Sequence, residues 1–324
     1  MKSNLPKIPN LPNLLDRKIY KTGQTRGADD DVIFQNRVGR NSTVLIPYQF
    51  AANICYPEGE VKFEKGFIVL IPPETYFNDA NVDDALKKRN LTIGTNCLVF
   101  YETRHDWDAH NPQKLGWQPA LSRTAPLRGS YVARLPATTA ISHSEKITLG
   151  FTSKEKKGAG IRQYEYASSQ TMNKVRMQLE AVYWLSHNSI EVAVQNGMTF
   201  SDADLRKNHS LVECDKNGLL DYTKLRAARI IDKDNITICP LCREKLSSGG
   251  FFTRLAQAEG RVVPDLTVTE INLFHINELR YGVYNHKPYN LGWGHHHCNV
   301  VTKDSGINKT LEWMQQVLDR NKGY

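Results

Sequence analysis

Two residue pairs with the same spacing dominate the C-terminal part of the chain, Cys239-Pro-Leu-Cys242 and His295-x-x-Cys298. A Cys-x-x-Cys pair presents two thiolates to one tetrahedral ion through a tight turn. Alone, such a pair also occurs in redox sites and in simple turns. The second pair completes a Cys₃His ligand set, which suits zinc because a structural zinc is closed by four thiolate or imidazole groups. The sequence therefore predicts that a zinc ion ties the two pairs together.

Three consecutive histidines leave the identity of the imidazole ligand open, since His295, His296 and His297 all lie beside the second pair. If the segment begins a helix, residues three apart share a face, which favours His295 together with Cys298. The other two rings are then expected to be solvated or to contact phosphate. We predict His295 as the ligand.

Composition narrows the class of protein. Six cysteines in 324 residues are too few and too scattered for a disulfide scaffold. The chain carries a net charge of +8, which favours a polyanionic partner such as DNA. No apolar run approaches the ~18 residues of a bilayer-spanning helix, and the opening MKSNLPKIPNLPNLL lacks the hydrophobic core of a secretory signal. We expect a cytoplasmic protein.

The pattern along the chain predicts an α+β protein. Pro6, Pro9 and Pro12 predict that the first twenty-odd residues form an extended arm. Residues 61–74 and 96–103 are rich in β-branched and aromatic residues and are predicted to form strands.

Helical patterns follow in the second half. Apolar residues from Thr171 to His187 recur at helical spacing, and Ser201 is a predicted N-cap of a further helix. The chemical character changes near residues 231–237, so we predict a boundary between a first region, 1–232, and a second, 233–324.

His275, Asn290 and Asn299 lie within the zinc frame, the last directly after Cys298. The order His, Asn, Asn, interleaved with these ligand pairs, resembles the HNH nuclease family, or ββα-metal fold, over about residues 236–310. The resemblance implies that His275 is the general base that takes a proton from water, a task suited to a neutral imidazole. It implies that Asn290 orients that imidazole and fixes the hairpin loop, and that Asn299 holds one divalent ion, normally Mg²⁺, through its amide oxygen. The three residues would lie on two strands and a helix that the zinc holds in place.

The residue before the base departs from the family pattern. The family usually places Asp or His there as a shared metal ligand, whereas this chain has Phe274. Either Asn299 holds the ion with waters and another carboxylate, such as Glu270 or Asp304, or the motif is degenerate and inactive. We favour the first interpretation because the base and the rest of the frame are intact.

A structural interpretation of the same residues also exists. His275 would then be a core histidine at a strand end, and Asn290 and Asn299 would be turn and cap residues. The zinc frame at family spacing favours the catalytic interpretation. In the hairpin loop, His286 and Lys287 are expected to face solvent or to contact phosphate.

A small catalytic module with a long N-terminal region resembles type II restriction endonucleases that carry an HNH module. The opening block through IPYQF is similar to the BstXI-type enzymes, which act on an interrupted palindrome. The resemblance implies a DNA-recognition and dimerisation region over 1–232, a nuclease domain over 233–324, and a homodimer with one active site per DNA strand. The alternatives are a zinc-dependent DNA-binding protein with a degenerate HNH module and an HNH homing or repair nuclease.

Base edges are read by Arg, Lys, Asn and Gln side chains. The candidate segments are basic or polar and contain glycine: 21–30, 34–42, 122–134 and 153–163. The helix from Thr171 to His187 and a C-terminal helix over Lys309 to Leu318 with Trp313 are candidate dimer elements, and core packing is the alternative for both.

Overall fold

The chain forms two compact units in the computed structural model. The hairpin unit consists of Met1–Thr22 with Ser169–Tyr324, and the sheet unit consists of Gly23–Ser168. The boundary predicted between residues 232 and 233 falls inside the hairpin unit, and the functional division that it describes stays a prediction. The structure describes residues 8–20, 43–58, 62–137, 145–151, 160–258, 261–262, 269–303 and 305–322.

The described residues contain ten α-helices and ten strands. The helices are α1 Asn13–Tyr20, α2 Pro73–Asn78, α3 Val82–Lys88, α4 Arg104–Ala109, α5 Ser169–Trp184, α6 Ser189–Gln195, α7 Phe200–Lys216, α8 Tyr222–Ala227, α9 His296–Thr302 and α10 Ile307–Asn321. The strands are β1 Val44–Pro47, β2 Phe67–Ile71, β3 Cys97–Tyr101, β4 Tyr131–Leu135, β5 Ile147–Leu149, β6 Ile161–Arg162, β7 Ala256–Ala258, β8 Arg261–Val262, β9 Ile271–His275 and β10 Leu291–His295. The mixed α and β content confirms the predicted α+β class.

The sheet unit is built on one mixed sheet among its described residues. Its strand order is β5-β4-β3-β2-β1-β6, with β5 antiparallel to β4 and the other pairs parallel. The strands β2 and β3, FIVLI and CLVFY, are almost wholly buried, which is typical of parallel strands. They confirm the strands predicted within 61–74 and 96–103.

Helix α5 runs through the centre of the hairpin unit. Its residues Leu179, Val182 and Trp184 are buried in the main core of the unit, and it packs against α7 and β10. The helix predicted from Thr171 to His187 is confirmed, with its ends shifted by two or three residues. Its role is core packing.

Two local predictions were wrong. Residues Asn13–Tyr20 form α1 rather than an extended arm, because Leu15 and Ile19, four apart, place their side chains together in the core. The helix predicted to begin after Ser201 is capped instead by Thr199, whose side chain accepts a hydrogen bond from the backbone of Asp202.

The C-terminal helix α10 contains the predicted segment Lys309 to Leu318. Ile307 and Thr310 are buried, whereas Trp313 is 53% exposed. Core packing therefore does not account for Trp313. Along the described part of the chain, no helix combines the length and the apolar character needed to cross a membrane.

Candidate functional site

The antiparallel hairpin of β9 and β10 carries a candidate site at each end. His295 pairs with Ile271 at one end, which we call the cluster end, and His275 pairs with Leu291 at the other, which we call the His275 end. Four residue steps along a strand span ~13 Å. The two sites are therefore separate but share one rigid support.

A buried tryptophan fixes this hairpin to the core. The Nε1 atom of Trp293 donates a hydrogen bond of 2.9 Å to the carbonyl oxygen of Leu179 in α5. The Phe251 ring packs edge-on against the indole, with 5.0 Å between ring centroids. Helix α9 begins directly after β10, so the chain order here is two paired strands followed by a helix.

At the cluster end, the structure brings together all four predicted zinc ligands. The ligand atoms of Cys239, Cys242, His295 and Cys298 lie within 4.8 Å of one another. Two sulfur ligands of a tetrahedral zinc, each at about 2.3 Å, are ~3.8 Å apart. The group is therefore slightly wider than a closed zinc site, and its dimensions suit a central ion.

A tight turn makes the first ligand pair converge. Arg243 has a left-handed backbone, with φ of 64°, and its N–H donates to the carbonyl oxygen of Cys239 at 2.8 Å. The N–H of Cys239 donates in turn to the oxygen of Glu244, and Ile238 bridges Lys245 beyond the turn. The turn therefore brings the two thiols of the pair close together.

The electrostatics of the group favour a bound cation. Burial raises the pKa of the Cys242 thiol, and burial together with Cys239 and Cys242 raises that of Cys298. Burial and the neighbouring His297 lower the pKa of His295. Three thiolates cannot gather here without a compensating positive charge, and a metal ion would supply it as the thiol protons leave. The donor set fits zinc.

The structure separates the three consecutive histidines. The Nδ1 atom of His295 lies 3.3 Å from the Cys242 sulfur. His296 Nδ1 lies 3.2 Å from the amide nitrogen of Asn272, whereas His297 is exposed and stacks on the His295 ring. In the part of the chain that the structure describes, His295 is therefore the histidine of the three that joins the group of possible metal ligands.

At the other end of the hairpin, His275 contacts a second imidazole. Its Nε2 atom lies 3.0 Å from Nδ1 of His286, a distance typical of a hydrogen bond. His286 is 2% exposed although it lies between the two strands, so the expectation that it faces solvent was wrong. Lys287 is exposed, as expected. No spacing in the sequence predicts the contact between these two rings, because the contact depends on how residues 276–290 fold.

Asn290 fastens the connection between the strands. Its Oδ1 accepts hydrogen bonds from the backbone and side-chain nitrogens of Asn277, at 2.9 and 2.7 Å. Its Nδ2 donates to the carbonyl oxygen of Asn285 at 2.7 Å. These contacts suit the predicted role of fixing the loop. Since the ring beside His275 is that of His286, orientation of the base by Asn290 itself stays a prediction.

The predicted magnesium site has fewer of its expected ligands than the predicted zinc site. Asn299 lies in α9 directly after Cys298 and is half-buried, and its role as a magnesium ligand stays a prediction. Phe274 is fully buried and packs against Gly294, where an added Cβ would lie 2.6 Å from the ring. Apolar packing therefore occupies the position at which the HNH resemblance predicts an additional metal ligand.

Of the two suggested carboxylates, only Glu270 is among the described residues. Glu270 precedes β9, five residue steps or ~16 Å along the strand from His275, which is too far to share one ion with a group beside that ring. Asp304 lies outside the described residues. Within the described ranges, the Cys/His group at the cluster end is the single group of three or more His, Cys, Asp or Glu side chains placed to hold a metal. The described residues therefore place no second group of this kind beside His275.

Lys18 is a half-buried residue that the sequence analysis missed. Its Nζ donates to the carbonyl oxygen of Ile271 at 2.8 Å and also contacts the side chains of Thr269 and Asn272. Burial lowers the pKa of Lys18 to about 7. Helix α1 is thus fastened to the cluster end of the hairpin.

The predicted base-reading segments are covered only in part. Segments 21–30 and 34–42 and most of 153–163 lie outside the described residues. In segment 122–134, the Arg134 guanidinium donates to the carbonyl oxygens of Leu149 and Gly150 and so joins neighbouring strands, whereas Arg128 is exposed. DNA reading by these segments stays a prediction.

Known proteins provide a further comparison. A family model described as BstXI restriction endonuclease matches residues 17–296. A solved structure described as a type II restriction endonuclease is similar at 17% sequence identity, with a TM-score of 0.32. The alignment covers 50% of this chain and 59% of that one, less than two thirds of its length. No curated protein sequence matches the chain.

Proposed function

The chain belongs to the BstXI restriction endonuclease family, and from this membership we propose that it is a type II restriction endonuclease. It would hydrolyse phosphodiester bonds of double-stranded DNA at a specific sequence. The observation that carries the proposal is the family match over residues 17–296, which spans both units and includes His275. The position of His275 at the end of an anchored hairpin supports it.

In the proposed reaction, His275 acts as the general base. A proton passes from a water molecule to its imidazole while the water oxygen bonds to phosphorus and the bond from phosphorus to the leaving oxygen breaks. The leaving oxygen takes a proton from solvent. Asn290 holds the loop beside the base, through the contacts with Asn277 and Asn285. Asn299 would hold one Mg²⁺ through its amide oxygen, and such an ion would neutralise charge on the phosphorus.

Zinc has a structural role in this proposal. Cys239 and Cys242 lie on the turn that precedes the hairpin, whereas His295 and Cys298 lie where β10 passes into α9. A shared ion would therefore hold the turn, the strand and the helix in one arrangement. With the HNH order of His275, Asn290 and Asn299, this supports a zinc-stapled ββα-metal module.

The DNA partner follows from the family and the charge. A net charge of +8 favours a polyanion. Residues 1–232 would contain the recognition and dimerisation region. A homodimer is proposed because a palindromic site is matched by two-fold symmetry.

One observation favours a second candidate function. Phe274 is fully buried at the position where the HNH resemblance predicts a metal ligand, so the module would be catalytically degenerate. The protein would then be a zinc-dependent DNA-binding protein.

Cleavage of plasmid DNA with Mg²⁺ tests the proposal. We expect discrete fragments from the wild type and a rate at least ~100-fold lower from His275→Ala, as is typical when a general base is removed. DNA binding should persist. His209→Ala, at an exposed position of α7, is the matched control and should cleave like the wild type.

Other results would support a different function or a different general base. Uncut DNA with a shifted band in a gel would favour the second candidate, and a ragged or single-site pattern would favour a homing or repair nuclease. Cleavage by His275→Ala at the wild-type rate would show that another group is the base.

A further inference from the structure

We propose that His286 is the positioning residue of the general base, holding the His275 ring in the tautomer and orientation that the reaction needs. This inference rests on the proposed function of His275. The contact that carries it is the 3.0 Å distance between His275 Nε2 and His286 Nδ1. The ring centroids are 5.3 Å apart and the ring planes are tilted by 51°, so the rings meet through their nitrogens rather than by stacking.

The contact has a consequence for protonation. One proton lies between the two nitrogens, because a neutral imidazole has one N–H donor and one acceptor nitrogen. If Nε2 of His275 carries it, Nδ1 of the same ring is the nitrogen that accepts the proton of water. The opposite arrangement, with the proton on Nδ1 of His286, would put the hydrogen of His275 on Nδ1 and prevent that transfer. The proposed base activity therefore assigns the Nε2–H tautomer to His275.

The same hydrogen bond acts during the reaction. Once His275 has taken the proton, its ring is an imidazolium whose Nε2–H still donates to His286. A charged donor makes a stronger hydrogen bond than a neutral one, and the burial of His286 excludes competing water. The bond is therefore stronger after proton transfer than before it, which favours the transfer. In this scheme the proton taken from water stays on His275.

The surroundings of His286 keep it in place. The preceding residue, Asn285, donates from its side chain to the carbonyl oxygen of Glu278 at 2.6 Å and accepts from Asn290 at 2.7 Å. The following residue, Lys287, donates its N–H to the oxygen of Asn285 at 3.0 Å. Tyr289 is fixed to α5, because its N–H donates to the buried side chain of Gln178 at 2.7 Å. Hydrogen bonds thus fix the backbone before and after His286.

This arrangement also explains how Asn290 acts. The amide of Asn290 fixes the loop, and the loop presents a ring to the base. In this inference, the acceptor Nδ1 of His286 orients the His275 imidazole, which is the role that the HNH resemblance assigns to Asn290. Asn290 would affect the base through His286.

Two substitutions at position 286 test the role. His286→Leu removes the acceptor while keeping an apolar body of similar size, and His286→Asn places an amide oxygen close to where Nδ1 lies. We expect His286→Leu to lower kcat for plasmid cleavage by ~10- to 1,000-fold with an unchanged KM for DNA. His286→Asn should restore kcat to within ~10-fold of the wild type. His209→Leu in exposed α7 is the control for the substitution itself.

A spectroscopic measurement is independent of the rate. In the full chain labelled with ¹⁵N-histidine, the ring nitrogen shifts of His275 report which nitrogen carries the proton, and the signal is assigned by its loss in His275→Ala. We expect the Nε2–H form in the wild type and in His286→Asn, and a mixture of the two tautomers in His286→Leu.

Each outcome separates the inference from the function on which it rests. Wild-type kcat in both position-286 variants, with His275→Ala inactive, would overturn the role of His286 and leave the proposed function standing. Equal losses in both variants, a raised KM, or an Nδ1–H form in the wild type would also overturn it, because a merely structural residue would give no rescue. Wild-type cleavage by His275→Ala would instead remove the proposed base itself.

Discussion

The two ends of the β9–β10 hairpin are organised by different chemistry. At the cluster end, three thiols and one imidazole converge within 4.8 Å, and their arrangement suits an added cation. At the His275 end, the buried Asn290 amide fixes the loop through hydrogen bonds, and the rings of His275 and His286 contact each other through their nitrogens. The proposed zinc ion would hold the first end together, whereas hydrogen bonds within the chain hold the second.

One short hairpin can therefore keep the stabilisation of the fold apart from the reacting groups. A metal held at the end that contains no proposed base can stabilise the scaffold without competing for the reacting water. The residues at the other end are then fixed by packing, ~13 Å along the strand. If the comparison is correct, damage to one end should leave the other measurably intact.

The largest effect is expected from removing a cluster ligand. Cys298→Ser should abolish zinc binding and lower the free energy of unfolding of the hairpin unit by about 5 kcal/mol or more, because structural zinc contributes ~10 kcal/mol even in small peptides. Zinc content by atomic absorption and denaturant unfolding check this. Cys55→Ser, at an exposed thiol of the sheet unit, should change neither. One zinc per chain retained by Cys298→Ser would exclude the cluster as the site.

An intermediate effect is expected at the opposite end. Asn290→Ala removes the three hydrogen bonds that the buried Asn290 amide makes to Asn277 and Asn285. We expect a loss of about 2–4 kcal/mol in the free energy of unfolding with zinc content unchanged. The exposed Asn208→Ala in α7 should cost less than ~0.5 kcal/mol. Loss of zinc from Asn290→Ala would show that the two ends are not independent.

A smaller, pH-dependent effect is expected at Lys18, which fastens α1 to the cluster end. Burial lowers the pKa of Lys18 to about 7 from an ordinary value of 10.5, so the folded protein binds its proton less tightly than the unfolded chain. The contribution of Lys18 to stability is therefore lowest below pH 7 and rises with pH up to about 10.5. Relative to Lys18→Met, the wild type should gain on the order of 1–3 kcal/mol between pH 7 and pH 9. Urea unfolding of both proteins at the two pH values measures this, and parallel pH profiles would contradict the shift.

The same contrast explains which parts could be predicted from the sequence. Metal ligands such as Cys239 and Cys298 obey coordination geometry, which leaves a spacing signal, and regular strands and helices such as β3 and α5 leave a periodic one. The partner of His275 leaves neither, because His286 reaches it only through the folded path of residues 276–290. Lys18 was hidden for a similar reason: its hydrogen-bond acceptors lie some 250 residues away along the chain, and a lysine at a helix end is usually solvated.

The smallest effect is expected from the ion pair that also touches the loop at the His275 end. Lys309 Nζ lies 3.0 Å from Glu278 Oε2, and this contact lowers the pKa of the Glu278 carboxyl. The Lys309 side chain is 60% exposed, so water and salt screen the attraction. Lys309→Gln should therefore move the unfolding midpoint by less than ~2 °C. The difference should shrink as the pH falls below the ordinary carboxyl pKa, disappear below the lowered pKa of Glu278, and also disappear at high salt. A shift as large as that of Asn290→Ala would mean that charge, rather than the buried amide, holds the loop that presents His286.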